Sequence, residues 1–268
     1  MTKKSRNTIR GNAGSWLPAV CTVGLLLLIW QGVCSLGLVP AYMLPSPIDV
    51  VKALVRDRAL LFDHAVITLK EALIGLVLGV IIGVAFAALM DSFELLYKAV
   101  YPLLVISQTI PSVAIAPLLV LWFGYETLPK VILVILMTFF PVTVGVLEGF
   151  RGVDQDTVAL LRSMGAGKGK IFRYLKVPSA LPQFFSGLRI AVAYSVVGAV
   201  ISEWLGGFGG LGVYMTRVRK AFGFDRMFAV ILLISLLSLL LMKLVNVIER
   251  FCMPWRFLKE SQTDIQKH

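Results

Sequence analysis

The residues best suited to a specific task form one polar, basic stretch, DQDTVALLRSMGAGKGKIFRYLKVP, over residues 154–178. It lies between two long apolar segments, so it must sit in water at a membrane surface. Asp154 and Asp156 favour the start of a helix, because acidic groups complement the helix N-terminal dipole. Glycines at positions 165, 167 and 169 favour a tight turn, after which a helix restarts at Lys170 and is expected to end at Pro178. The stretch therefore predicts a helix-turn-helix projection that can occupy a groove of a partner protein.

Chemistry of other kinds has little support in the sequence. The run Gly165-Ala166-Gly167-Lys168-Gly169 does not fit the phosphate-loop pattern G-x-x-x-x-G-K-[ST], and no strand is predicted before it, so we expect no nucleotide site. The cysteines and histidines lack the spacing of metal ligands, so we expect no metal and no other cofactor. They are Cys21, Cys34, Cys252, His64 and His268.

The composition places most of the chain in lipid. Of its 268 residues, 58% are hydrophobic, and the mean hydropathy is +0.86, whereas soluble domains are about 45–50% apolar. The net charge is +11, but the basic residues cluster between apolar segments, which excludes a nucleic-acid partner. We therefore predict an all-α integral membrane protein with a single transmembrane domain over residues 1–268.

About six apolar segments are long enough to cross a bilayer. They cover residues 16–39, 65–90, 99–123, 131–147, 183–205 and 227–247. Six spans put both termini on one side, and the segments on that side hold 15 lysines and arginines, against 7 on the other. The positive-inside rule therefore places both termini, and the basic loop over residues 150–182, in the cytoplasm.

The loop resembles the signature loop of the membrane subunits of ATP-binding-cassette importers. Its pattern is Ala159-Leu160-Leu161, three residues, Gly165, nine residues and Leu175-Lys176-Val177-Pro178. The family has a Glu-Ala-Ala-like triplet, a glycine six residues after its Glu, and an aliphatic-x-aliphatic-Pro end. The resemblance continues into Ser179-Ala180-Leu181-Pro182 and Gly187-Leu188-Arg189 and covers roughly residues 40–250.

This resemblance implies a type I importer permease fold in a bacterial inner membrane, without enzymatic activity of its own. The implied partners are a cytoplasmic ATPase dimer, a second permease copy (giving a homodimer), an extracytoplasmic solute-binding protein and membrane lipid. The residues implied to couple to the ATPase are Ala159, Leu160, Leu161, Gly165, Ala166, Gly167, Leu175, Val177 and Pro178. The family usually has Glu where Ala159 stands, so a charge contact is either missing or supplied by Asp156 or Arg162.

The fifth span is expected to line a translocation path. Only 13 uncharged residues separate Arg189 from Glu203, fewer than a lipid-facing helix prefers. The candidate path residues are Ser107, Tyr194, Ser195 and Glu203. Alternatives stay open: Ser107 can satisfy backbone groups loosened by a nearby proline, Glu203 can be an interfacial carboxylate in outer water, and Arg189 can either line the path or snorkel to the inner surface.

Two further groups are expected on the outer side. Lys70 and Glu71 are predicted at the outer interface, and they project about 100° apart on a helix, so they do not pair with each other. The glycine-rich segment over residues 206–210 either docks the binding protein or is a turn.

The main functional prediction is the permease subunit of an importer that is powered by a separate ATPase. The alternatives are a secondary transporter, which often carries internal repeats, and a membrane-embedded enzyme, which would need clustered catalytic groups. The resembling branch handles nitrate, sulfonates, taurine and pyrimidine precursors of thiamine. The segments over residues 194–207 and 211–215 look closest to the thiamine-precursor members.

Overall fold

Long apolar helices dominate the computed structural model, which describes residues 13–40 and 42–255. The basic residues before position 13 and after position 255, which contribute to the predicted orientation, lie outside the described residues. The helices are α1 Ala13–Ser35, α2 Pro47–Arg56, α3 Arg58–Ser92, α4 Glu94–Ser107, α5 Ser112–Phe123, α6 Thr127–Arg151, α7 Gln155–Ser163, α8 Lys168–Ile171, α9 Val177–Leu205, α10 Leu211–Lys220 and α11 Phe224–Cys252. A π-helical segment, Phe172–Lys176, joins α8 to α9.

Five helical runs are long and apolar enough to span a bilayer: Pro18–Ser35 within α1, α3, α6, the run Lys168–Leu205, and α11. Helices α4 and α5 together make a sixth, but they are bent by 97° at residues 108–111. The predicted third span is therefore a broken one. The all-α membrane fold with five to six spans is confirmed.

The bend between α4 and α5 has a local cause. Pro111 has no backbone N–H, and it disfavours helical geometry in the residue before it. The hydroxyl of Ser107 donates to the Leu104 carbonyl at 2.7 Å, and that of Thr109 donates to the Ile106 carbonyl at 2.8 Å. The Ser107 and Thr109 hydroxyls thus hydrogen-bond to backbone carbonyls of the last turn of α4, which is one of the two alternatives left open for Ser107.

Glycines bring the central helices into close contact. Gly75, Gly79 and Gly83 recur every four residues on α3 and face α6, where a Cβ at Gly79 would lie 2.1 Å from the Thr138 hydroxyl. On α6, a Cβ at Gly149 would lie 2.5 Å from the Cα of Ala180 in α9. In lipid, small residues favour helix association because they let backbones approach closely. The core of the bundle is thus α6 packed between α3 and α9.

Ion pairs and hydrogen bonds sort the polar helix ends onto two opposite faces. On the first, here called the α7 face, Arg151 pairs with Glu94 at 2.7 Å and Lys176 with Asp91 at 2.7 Å. On the second, the α10 face, Arg56 pairs with Asp225 at 3.0 Å and the Tyr214 hydroxyl donates to Asp57 at 2.7 Å. Burial of the Tyr214 phenol disfavours its charged form, and its hydrogen bond to Asp57 stabilises the neutral form, so the pKa of Tyr214 is raised above its usual value.

The prediction that Glu71 lies at the outer interface is wrong. Glu71 does not lie at an interface in contact with water: it is 3% exposed and pairs with Lys130 of α6 at 2.8 Å. Its neighbour Lys70 is exposed, as the predicted divergence of adjacent helical residues requires. Glu71 turns inward because it shares the face of α3 that packs on α6, and there Lys130 neutralises its charge.

Candidate functional site

The basic loop folds into a helix-turn-helix over residues 154–178, here called the knob. Its first helix begins where predicted, because the Asp154 carboxylate accepts bonds from the backbone N–H groups of Asp156 and Thr157, each at 3.2 Å. The Thr157 hydroxyl donates to the same carboxylate at 2.8 Å. These donors favour the charged form, so the pKa of Asp154 is lowered.

The turn of the knob depends on Gly165. This residue has φ of 82°, in the left-handed region that favours glycine. Its N–H donates to the Arg162 carbonyl, and the Ala166 N–H donates to the Leu161 carbonyl, both at 2.9 Å. This is the Schellman arrangement, which satisfies the free carbonyls at the end of α7. The other two glycines of the loop have no such requirement, because Gly167 has φ of −70° and Gly169 lies within α8.

The second arm of the knob differs from the prediction. The helix restarts at Lys168, not Lys170, and Pro178 does not end it, because the run continues through α9 to Leu205. The π-helical segment explains this continuation. The Val177 N–H reaches back five residues to the Phe172 carbonyl, and this wider turn precedes the first turn of α9, where a proline is tolerated.

The predicted coupling residues divide into an inner and an outer set. Leu161, Ala166 and Leu175 pack on a small buried cluster formed by Val153, Val158 and Ile171, which holds the two arms together. Ala159, Gly165, Gly167, Val177 and Pro178 are exposed. Leu160 and Met164 are 60% and 74% exposed, so the tip of the knob presents apolar side chains to water. An exposed apolar tip of this kind is typical of a surface that docks a protein.

A cavity of about 500 Å³ lies beside the bend between α4 and α5. It is here called the bend cavity, and its lining includes Ser107, Gln108, Ser112 and Tyr194 among apolar side chains. Within the described part of the chain, the residues that line it carry no charge. The structure therefore brings together Ser107 and Tyr194, which come from the third and fifth predicted spans.

The other two candidate path residues do not reach this cavity. Ser195 is fully buried, and its hydroxyl donates to the Val192 carbonyl at 2.8 Å. Glu203 is 1% exposed, which also contradicts its alternative reading as a carboxylate in outer water. Both face the interior of the protomer, because they lie on the side of α9 that packs against other helices rather than on the side of Tyr194.

Glu203 instead anchors the glycine-rich segment to α3. Its carboxylate accepts bonds from the Thr68 hydroxyl at 2.7 Å and from the Gly212 N–H at 2.6 Å. The Leu211 N–H donates to the Thr68 hydroxyl at 2.8 Å, and the Gly210 N–H donates to His64 Nδ1 at 3.0 Å. The chain at the end of this segment, from Gly210 to Gly212, is thus held to α3 and α9. His64 and Thr68 were missed from the sequence, although their spacing of four residues places them on one helix face.

Arg189 on α9 forms an ion pair with α11. Its guanidinium pairs with the carboxylate of Glu249 on α11, and its side chain is 31% exposed. The sequence analysis did not identify this partner of Arg189, because Glu249 lies 60 positions away in the chain. This ion pair connects α11 to the half of α9 that is nearer the α7 face.

A bundle of apolar helices that carries a helix-turn-helix projection at one polar face, and a cavity along its broken helix, defines a membrane transport subunit rather than a soluble enzyme. Residues 75–252 match the family of binding-protein-dependent transport system inner membrane components. The chain belongs to this family, and it is a multi-pass permease subunit of an ATP-binding-cassette importer. Its partners are accordingly an ATPase and a solute-binding protein. The predictions of the family, of the importer function and of a non-enzymatic subunit are confirmed.

Two relatives and one solved structure support this assignment. The formylaminopyrimidine transport permease protein ThiX of Halalkalibacterium halodurans is 41% identical over 233 residues, which are 87% of this chain and 93% of that protein. The riboflavin transport system permease protein RibX of Chloroflexus aurantiacus is 34% identical over 241 residues, which are 87% of this chain and 88% of that protein. An amino acid ABC transporter matches the fold with a TM-score of 0.61 at 19% identity, over 74% of this chain and 96% of that one. The type I importer fold is confirmed.

Proposed function

We propose that two copies of this chain form the translocation path of an importer for a small, uncharged heteroaromatic solute, of which formylaminopyrimidine is the representative. The observation that carries the proposal is the uncharged lining of the bend cavity, which combines an aromatic ring with hydroxyl and amide groups. A nitrate, sulfonate or taurine path would be expected to offer cationic or strong hydrogen-bonding partners for a charged group leaving water. The relatives named for formylaminopyrimidine and riboflavin handle heteroaromatic compounds, which supports the same solute class.

Uptake into proteoliposomes tests the solute class. The permease is reconstituted with its ATPase and binding protein, and labelled formylaminopyrimidine, taurine and nitrate are compared at equal concentrations. We expect ATP-dependent uptake of formylaminopyrimidine and background uptake of the two competitors. Uptake of taurine or nitrate above that of the pyrimidine would contradict the proposal.

The knob is proposed as the ATPase-coupling element, with Ala159, Leu160, Gly165, Gly167, Val177 and Pro178 at its exposed surface and Leu161, Ala166 and Leu175 holding its shape. The exposed apolar tip supports this role, because apolar anchors dominate protein docking. Leu160→Glu should therefore weaken co-purification of the ATPase. Leu95→Glu is the matched control, since Leu95 is 83% exposed near the same face but lies outside the knob. Equal retention of the ATPase by both variants would count against the coupling role.

We propose that the α7 face and both termini lie in the cytoplasm. The excess of basic residues supports this orientation, and the polar ends of α3, α4, α6 and the knob all belong to one face. In a variant without its native cysteines, Lys168→Cys should resist an impermeant thiol reagent added outside whole cells. Lys52→Cys, on α2, is the control that should react. Labelling of position 168 but not of position 52 would reverse the orientation.

The second copy and the surrounding lipid belong to the same proposal, together with one domain over residues 1–268. Closed two-fold pairs are the commonest assembly, and the bend cavity lies on a side of the protomer where Tyr194 is 45% exposed. The segment Pro18–Ser35 buries none of its residues inside the protomer, so it is available to lipid or to the second copy. Mass measurement of the detergent-solubilised permease should give two copies in each complex.

A further inference from the structure

Two cavities of the protomer meet at the same pair of side chains. The bend cavity and a second cavity of about 360 Å³, between α6 and α9, are both lined by Gln108 and Tyr194. The bend cavity extends along α6 to Leu133, toward the α10 face, whereas the second extends to Glu148, toward the α7 face. The cavities are therefore arranged in series between the two polar faces, with Gln108 and Tyr194 at their junction.

The junction lies deep in the membrane. Tyr194 is eleven residues before the end of α9 at Leu205, which is a rise of about 16 Å along the helix. The hydrocarbon core of a bilayer is about 30 Å thick. Tyr194 therefore lies near mid-membrane, where a solute that crosses is furthest from water on both sides.

The polar groups at the junction have few partners within the protein. The Gln108 amide donates to the Ser107 hydroxyl at 3.4 Å, a long and weak bond, and its oxygen has no protein partner among the described residues. The Tyr194 hydroxyl likewise has no hydrogen bond to another described residue. Polar groups at this depth are costly unless they meet a partner or line a cavity that holds water.

We propose that Gln108 and Tyr194 form the constriction of the translocation path and contact the solute as it passes. The Tyr194 ring offers an apolar face for a flat heteroaromatic ring, and aromatic pairs of this kind prefer offset or edge contacts. The Gln108 amide can donate to ring nitrogen atoms and accept from amino groups, which matches the edge of a pyrimidine. Neither group compensates the charge of a sulfonate. The inference rests on the proposed heteroaromatic solute class and assigns its selection within the membrane to these two residues.

The bend between α4 and α5 is what makes the constriction. A straight helix over residues 94–123 would continue past the junction, whereas the 97° bend places residues 108–111 at the turning point. Gln108 follows the last residue of α4 directly. The path is therefore narrowed where the bend between α4 and α5 faces the middle of α9.

Transport by single-residue variants tests the contact. Tyr194→Phe removes only the hydroxyl, and Gln108→Leu removes the amide at similar size. The loss of one hydrogen bond to the solute corresponds to roughly a three- to tenfold lower maximal rate of formylaminopyrimidine uptake. The concentration of binding protein that gives half-maximal uptake should be unchanged, because the contact forms after docking. Tyr101→Phe is the control, since Tyr101 packs against Tyr97 on α4 and lines neither cavity.

Cysteine labelling tests the position of the constriction independently of the solute. In a variant without native cysteines, Tyr194→Cys and Gln108→Cys should react with a small water-soluble thiol reagent, and formylaminopyrimidine delivered by the binding protein should slow the reaction. Absence of labelling at both positions, or full transport rates in both hydrogen-bond variants, would overturn the constriction. Labelling without any uptake of formylaminopyrimidine would support the constriction and refute the proposed solute class instead.

Discussion

Replacing Gly165 with alanine should destabilise the turn of the knob through backbone strain alone. The residue has φ of 82°, and a Cβ added there would meet nothing within 4 Å. No clash therefore contributes, and the cost is that of holding an L-residue in the left-handed region, about 1–2 kcal/mol. A change of that size shifts the balance between the formed and unformed turn by a factor of roughly 5–30.

Gly169→Ala is the matched control, because it adds the same methyl group in the same loop. A Cβ at Gly169 also meets nothing within 4 Å, but this residue lies within α8. In a helix, alanine is favoured over glycine by about 0.5–1 kcal/mol. The two substitutions therefore have opposite expected effects on the order of the knob, although they are chemically identical.

The assay measures ATP hydrolysis stimulated by the loaded binding protein in nanodiscs that contain the permease and its ATPase. At limiting ATPase, Gly165→Ala should lower the stimulated rate by at most roughly 5- to 30-fold, the full shift in the equilibrium of the turn, with the permease still inserted in the membrane. Gly169→Ala should hydrolyse ATP at least as fast as the unmodified complex. Equal rates in the two variants would refute the argument that the left-handed turn at position 165 shapes the coupling surface.

Three further outcomes are expected. Lys130→Met leaves the Glu71 carboxylate buried without its cation and should lower the free energy of unfolding in detergent by about 3–5 kcal/mol, whereas the double variant with Glu71→Leu should recover most of it; an unstable double variant would contradict this. Gly187→Leu places a Cβ at 2.4 Å from a backbone carbonyl of α6 and should reduce the yield of folded permease in size-exclusion profiles, unlike Gly24→Leu, where nothing lies within 4 Å. Hydrogen bonds lower the pKa of Asp154. Its stabilisation of α7 should therefore be complete at a pH above about 4 and be lost as the pH falls through the lowered pKa. At neutral pH, hydrogen exchange of the α7 backbone should be slow in the unmodified protein and fast in Asp154→Ala.

The sequence by itself determined the class of fold and the place of the knob. Apolar segments about 20 residues long predict spans directly, because a helix in lipid satisfies its backbone hydrogen bonds internally. The start of α7 was also readable, since Asp154 caps the helix that immediately follows it. These features are local, so neighbouring residues contain the information that they require.

Some tertiary contacts had a local signal that was readable in principle. The glycines of α3 recur at positions 75, 79 and 83, a spacing that marks a face for close helix packing. The pattern identifies the face, but it does not identify α6 as the partner helix. For that reason the closest contacts of the bundle follow from the sequence only in part.

Only the tertiary structure decided which polar groups face each other. Glu71 and Lys130 are 59 positions apart, and Thr68 and Glu203 are 135 apart, so nothing in either local segment predicts the pairing. The position of Tyr194 at the junction of two cavities likewise depends on the 97° bend of another helix. The interaction of a buried charge or a path-lining ring depends on which helix faces meet, and that is set by the packing of the whole bundle.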